Sequence, residues 1–378
     1  MKAKFNQEVL IKISFFIFLV FWSIRLYKLI EIIFKIGILP DFYGYYRVIH
    51  NLFSVSPDLS YIVHNSFGPP FVLLPFLPFT IFSLKIAEVL ITFVNLASFF
   101  IVFYLLWKHF LKKITPLFWI LLSLISFSFP LTYSLGGGNP MGLVTLGIYS
   151  LWIFKNKYLR QFFFTVSVLL KIYPAVVIPG LLFGKTKLKD ILMPLASLVL
   201  GLVISIIILP LNIWSYYLKE IQGVTSRVST AVDPAIVNQS FSSSFARLGI
   251  EIKFLSFGYI AFALGIFSLL LIFLYQVKKI KSNNQVEIAI ALLCLLLLIF
   301  PTPWQYYFAV ILPFLIIKLG QKRWIFILPL LLISFNGNLL SGGGLIKNFL
   351  DSSQFLATLI IFFLITLEPL SKIINNKA

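Results

Sequence analysis

The chain has 378 residues, 60% of them hydrophobic and only 11% charged, with a mean hydropathy of +1.00. Soluble domains carry about 25% charged residues, so this composition excludes a soluble globular protein and points to a polytopic membrane protein. The net charge is +19, yet 14 of the 31 Lys and Arg fall in five short clusters between apolar runs (KHFLKK, KNKYLR, GKTKLK, KKIK and GQKR). That is the positive-inside pattern and not a nucleic-acid patch, so no nucleic-acid partner is expected.

The apolar runs are continuous rather than alternating, which favours helices over a closed barrel. The expected fold is an all-α membrane helical bundle forming one domain over residues 1–378. With the basic clusters on the cytoplasmic side, Met1–Val9 lies inside, and a helix over Leu10–Leu39 crosses outward as a retained signal anchor. Its Arg25, Lys28, Glu31 and Lys35 share one face, which reads as an outer end projecting into the headgroups. An outer loop over residues 40–84 follows, with an interfacial helix at Phe71–Phe82. Ile86–Trp107 returns inward, Pro116–Leu135 goes out to a GGGNP tip, and Met141–Phe154 comes back. Gln161–Phe183 lies between two basic clusters, so it goes up and returns with a bend near Tyr173–Pro174, where proline interrupts a helix. Ile191–Pro210 leads to a second outer loop over 211–253. Leu255–Gln276, Glu287–Thr302, Gln305–Leu319, Trp324–Leu340 and Phe355–Leu370 alternate thereafter. The expectation is about twelve crossings with both termini cytoplasmic. The single cysteine, Cys294, lies in an apolar run and reads as a small hydrophobe.

This topology puts five polar pieces on the outer face: PDFYGYY, SFGPP, GGGN, VNQSFSSSFAR and PTPWQYY. Their convergence marks that surface as the expected site. Asp41 is an acid among aromatics at the end of the first helix, where partial burial keeps a carboxylate basic. Lys171 lies in an apolar run, where an ionisable residue is costly and so is often functional. No Asp-x-Asp stands in an outer loop and no His/Cys cluster is present, so no metal site is expected, although one carboxylate and a lipid phosphate leave room for a divalent ion.

In order, DFYGYY (Asp41–Tyr46), FGPPFVLLPFLP (Phe67–Pro78), GGGN (Gly136–Asn139), LKIYP (Leu170–Pro174), NQSFSSSFAR (Asn238–Arg247) and PTPWQYY (Pro301–Tyr307) resemble motifs of the GT-C superfamily. These enzymes take sugars from polyprenyl-phosphate donors. The chain is most similar to glycosyltransferase family 87, an alpha-mannosyltransferase-like group.

The resemblance implies a GT-C-type bundle whose outer loops form the site. It implies inverting transfer of a sugar, commonly mannose, from a polyprenyl-phosphate sugar to a lipid-linked or glycan acceptor, without a nucleotide sugar. Asp41 would then be the catalytic base. Lys171 and Arg247 would bear the charge of the donor phosphate. Asn139, Asn238 and Gln239 would bind sugar hydroxyls, and Tyr45, Tyr46, Trp304 and Tyr306 would offer aromatic faces. Taken singly, these residues also fit helix caps, loop capping and interfacial aromatic belts. Two departures stand out. The family's His after the Trp is Tyr306 here, which carries no charge, and the Gly-Gln-Asn tip reads Gly137–Gly138–Asn139. His50 and His64 lie in the first outer loop, where each reads either as a substitute for that missing charge or as a solvated loop residue. The competing readings are a secondary transporter or flippase-like protein, which calls for an internal repeat that is not evident, and a non-enzymatic scaffold.

Overall fold

A computed structural model describes residues 2–35, 38–52, 69–183, 188–219, 239–247, 285–299, 304–335 and 345–375. Within them the regular elements are all helical. Three helices are long and apolar enough to cross a bilayer: α1 (Lys2–Lys35, apolar over Gln7–Lys35), α3 (Leu84–Leu111) and α8 (Leu188–Ile208). α4 (Pro116–Ile125) and α5 (Phe129–Gly137) qualify together as one span, bent by 59°. Shorter apolar helices include α6 (Met141–Ile153), α10 (Gln285–Ile299), the Gln305–Gly320 stretch, Trp324–Ser334 and Ser353–Leu367. Against the twelve crossings expected from charge, the described residues thus hold three full-length spans, a bent pair and several short apolar helices. Leu255–Gln276 lies outside them.

Local sequence explains the departures from the expected elements. The first helix ends at Lys35 rather than Leu39, and a separate α2 (Pro40–His50) begins at Pro40. Leu39 is extended (φ −86°, ψ 105°), the conformation that a following proline favours, so one helix does not run through it. Pro116–Leu135 is broken at Ser126–Ser128, just ahead of Pro130 at the start of α5. The first outer loop is partly helical. Besides α2 it contains a 3-10 helix at Pro70–Ile81, near the expected Phe71–Phe82, with Pro75 and Pro78 inside it. Gln161–Phe183 is interrupted at Lys171–Ile172, just before the expected bend at Tyr173–Pro174. α7 (Lys157–Leu170) stops at an extended Lys171, and a 3-10 helix runs over Tyr173–Phe183. In the second outer loop the described part includes a short helix, α9 (Phe241–Arg247).

α1 packs on α4, and α6 packs on both α3 and α7. α10 packs on the 3-10 helix Tyr173–Phe183 and on the last helix, α14 (Ser353–Asn375), which also packs on α12 (Ile327–Ser334). α11 (Leu312–Gly320) and α13 (Leu345–Asp351) complete the numbering. Trp107, Tyr149, Phe99, Phe103 and Phe314 are buried in the shared core, while Phe16, Phe34, Phe93 and Ile207 are exposed on the outside. An apolar exterior around an apolar core is what lipid as a solvent demands. One buried charge is paired: Lys318 bonds Glu287, and Arg323 lies 3.7 Å from the same carboxylate.

Candidate active site

Four separated segments meet at Asp41. α2 buries Phe42, Tyr45, Val48 and Ile49, with the Tyr45 ring stacked on Phe76 at 4.6 Å and 12°. That packing leaves Asp41, in the first turn, facing the tip between α5 and α6. The amide nitrogen Nδ2 of Asn139 donates to Asp41 Oδ2 at 3.1 Å. Glycines permit the approach. Gly138 has φ +72°, and a Cβ there would lie 2.8 Å from the Cβ atoms of both Leu39 and Phe42. A Cβ on Gly137 would stand 3.4 Å from Asp41 Oδ2, so a longer side chain would fill the space beside the carboxylate.

Asn139 is held from behind. Its backbone carbonyl accepts from Asn95 Nδ2 at 2.5 Å and from Ser134 Oγ at 2.9 Å, while the Gly142 N–H donates to Asn95 Oδ1. The side-chain oxygen Oδ1 of Asn139 is buried and has no hydrogen-bond partner among the described residues. Nearly all buried polar atoms are satisfied, and leaving one unmet costs about 1–3 kcal/mol, so an orphan acceptor beside a carboxylate is a place for an incoming donor.

Lys171 enters from the break after α7. Its extended backbone (φ −150°, ψ 129°) turns the half-buried side chain inward. The ammonium lies 5.3 Å from the Tyr307 ring centroid and 5.7 Å from that of Tyr306, a cation–π arrangement. Tyr306 in turn stacks on Tyr133 at 5.7 Å and 15°, and Trp304 meets its edge at 5.8 Å. Burial pushes the Asp41 carboxyl above its ordinary value of 3.8, while the Asn139 bond and the charge of Lys171 work in the opposite direction. A carboxylate raised by burial and kept charged by a lysine has the character of a general base.

The remaining expected site residues are placed elsewhere or lie outside the described residues. Tyr46 donates from its hydroxyl to the Phe82 carbonyl at 2.7 Å and stacks on exposed His50, tying α2 to the start of α3. Gln239 sits at the α13–α14 junction: Nε2 donates to the Asp351 carbonyl at 2.6 Å, and Oε1 accepts from the Phe355 N–H at 3.2 Å. Arg247 is buried there too, its Nε on Ser352 Oγ and its Nη2 on Ser244 Oγ, each at 3.0 Å. No described contact joins either residue to Asp41. Asn238 and His64 fall outside the described residues. Among the described residues no three His, Cys, Asp or Glu side chains gather as a metal site would require.

Four contributors escaped sequence reasoning. Tyr133 and Tyr307 were obscured because interfacial aromatics are common. Asn95 and Glu88 carried a stronger signal, since each is a polar residue inside the apolar run Ile86–Trp107. They lie seven residues apart on the buried face of α3 and both reach into this site's supports.

The fold is that of a helical membrane protein, and this cluster brings together a half-buried carboxylate, a cation and aromatic rings. The chain belongs to glycosyltransferase family 87, whose sequence profile matches residues 67–301. It is therefore a membrane glycosyltransferase. The matched stretch contains Asn139, Lys171, Asn238, Gln239 and Arg247, whereas Asp41, Tyr45, Tyr46, Trp304 and Tyr306 lie outside it. No curated protein and no solved structure matches the chain.

Proposed function

We propose that the enzyme is an inverting transferase of the GT-C type that moves a sugar from a polyprenyl phosphate to a lipid-linked or glycan acceptor at the outer membrane face. Mannose is the first sugar to test. The observation that carries this reading is the meeting of Asp41, Asn139 and Lys171 over the Tyr306–Tyr307 pair.

The chemistry follows from the positions. Asp41 takes the proton of the acceptor hydroxyl as that oxygen attacks the anomeric carbon. The bond from that carbon to the phosphate oxygen breaks on the opposite face, and polyprenyl phosphate leaves with the bonding pair. Lys171 bears the charge that develops on the departing phosphate. The charge that Tyr306 lacks, standing where the family has His, is supplied by the ammonium resting on its ring. Asn139 Oδ1 accepts from a sugar hydroxyl, and half-buried Trp304 offers a face for the ring, whereas Tyr45 and Tyr306 are buried with their faces on Phe76 and on Tyr133 and support the site from behind. Gln239 and Arg247 secure the α13–α14 junction.

The test is the donor. Full-length protein in nanodiscs is given radiolabelled mannose either on polyprenyl phosphate or on a nucleoside diphosphate, with extracted membrane lipids as acceptor. Transfer from the lipid-linked donor alone is expected. Transfer from the nucleotide sugar would overturn the donor assignment.

A further inference from the structure

The start of α2 lacks the usual local support. Its N-cap residue is Leu39, which has no side chain able to cap, and Pro40 at the first position has no N–H. In a capping box, a Glu or Gln at the third helical position reaches back to the N-cap N–H. That third position is Phe42, which is buried in the core. The missing acceptor comes from another helix: Glu88 Oε1 accepts from the Leu39 N–H at 2.7 Å. Glu88 is 0% exposed, and its second oxygen, Oε2, is buried without a partner among the described residues. A buried carboxylate on an apolar span is costly, and a helix cap ordinarily needs only Ser, Thr, Asp or Asn in place.

The location explains the choice. A carboxylate at Phe42 would stand next to Asp41 and repel it. Reaching from α3 instead, Glu88 closes the helix end without entering the site. The same face of α3 carries Asn95, seven residues or about 10.5 Å further on, which clamps the Asn139–Gly142 turn. One helix therefore holds both the Leu39 amide, two residues before Asp41, and the carbonyl of Asn139, whose side chain bonds Asp41.

We propose that Glu88 is a positioning residue for Asp41: its carboxylate holds the Leu39 amide and so fixes the direction of the base two residues on. The proposal rests on the reading of Asp41 as the base. Glu88→Met and Glu88→Gln separate positioning from packing. Met fills similar space without an acceptor, and apolar replacement of a buried charge is often tolerated, whereas Gln keeps an acceptor for the Leu39 N–H.

Two readouts apply to the full-length protein in nanodiscs. The first needs no substrate: amide exchange over residues 39–45 is expected to quicken about tenfold or more in Glu88→Met and to return to wild-type rates in Glu88→Gln. The second uses polyprenyl-phosphate mannose: kcat falls about tenfold or more in Glu88→Met with KM within about twofold, and Glu88→Gln recovers most of the loss. A folded Glu88→Met chain with wild-type exchange and kcat overturns the proposal. So does an unfolded Glu88→Met chain beside an active Glu88→Gln chain, because the carboxylate then serves only the core. Asp41→Asn is assayed in parallel. If it transfers like wild type, the reading of Asp41 as base fails; if it is inactive while Glu88→Met is active, only the positioning role fails.

Discussion

Two buried polar clusters contain the residues expected to form the site, and they are wired differently. At the α13–α14 junction, Gln239 and Arg247 bond to backbone groups and serine hydroxyls, and Asn348 Nδ2 donates to the Arg247 carbonyl at 2.7 Å. These bonds close the start of a helix. At Asp41, polar side chains from different segments meet each other, and the encounter leaves Asn139 Oδ1 buried and unmatched. Bonds of this kind between a loop and a helix start hold the fold. Among the described residues Asp351 Oδ1 and Gln354 Oε1 at the junction are also buried without a partner, so what sets the Asp41 cluster apart is the lysine ammonium held over an aromatic pair beside the carboxylate.

Substitutions can sharpen or break that contrast. Lys171→Met removes the cation over Tyr306 and Tyr307, and transfer is expected to fall about 100-fold, the scale of losing one charged transition-state contact. Retention of rate within about threefold would move the phosphate site elsewhere. Asn139→Ala removes both the bond to Asp41 and the orphan acceptor, with an expected loss of about tenfold, roughly 1.4 kcal/mol. The acid limb of kcat should lie above the ordinary carboxylate value of 3.8, because burial raises Asp41 and the base is lost as pH falls through its raised pKa. A pH–rate profile checks this, and an acid limb at or below 3.8 would oppose it. The smallest effect on rate belongs to the other cluster. Gln239→Leu should cost about 1–3 kcal/mol of stability by thermal melting while leaving kcat within about threefold. A large loss of kcat with unchanged melting would erase the distinction between the two regions.

Much of this was legible because it depends on local rules. Charge placement and unbroken apolar runs announced a helical membrane protein. Pro174 announced the break that delivers Lys171, and the glycines ahead of Asn139 announced the tight turn on which Asp41 rests. What stayed hidden depends on neighbours distant in sequence. Nothing local to Leu39 says that Glu88, 49 residues on, caps it. Nothing near Tyr306 says that the Lys171 ammonium lies over its ring. The break at Ser126–Ser128 was obscured by an apolar run that hydropathy averages over. Gln239 and Arg247 were grouped with Asp41 by motif order, and motif order does not report which helix end a loop folds against.

Linkage adds a feature peculiar to the Asp41 region. Its folded-state pKa is raised, so its contribution to stability is full below the unfolded pKa and is lost as pH rises through the folded value. At neutral pH the ionised carboxylate therefore opposes folding, and Asp41→Asn should be at least as stable as wild type. The most direct measurement is accordingly a paired one on Asp41→Asn in nanodiscs: mannose transfer from polyprenyl phosphate, and thermal melting of the same sample at neutral pH. Loss of transfer by about 100-fold or more with an unchanged or raised melting temperature is the predicted result, because the carboxylate is there to take a proton. Wild-type transfer, or a lowered melting temperature that accounts for the loss, would make Asp41 a structural cap and contradict the account.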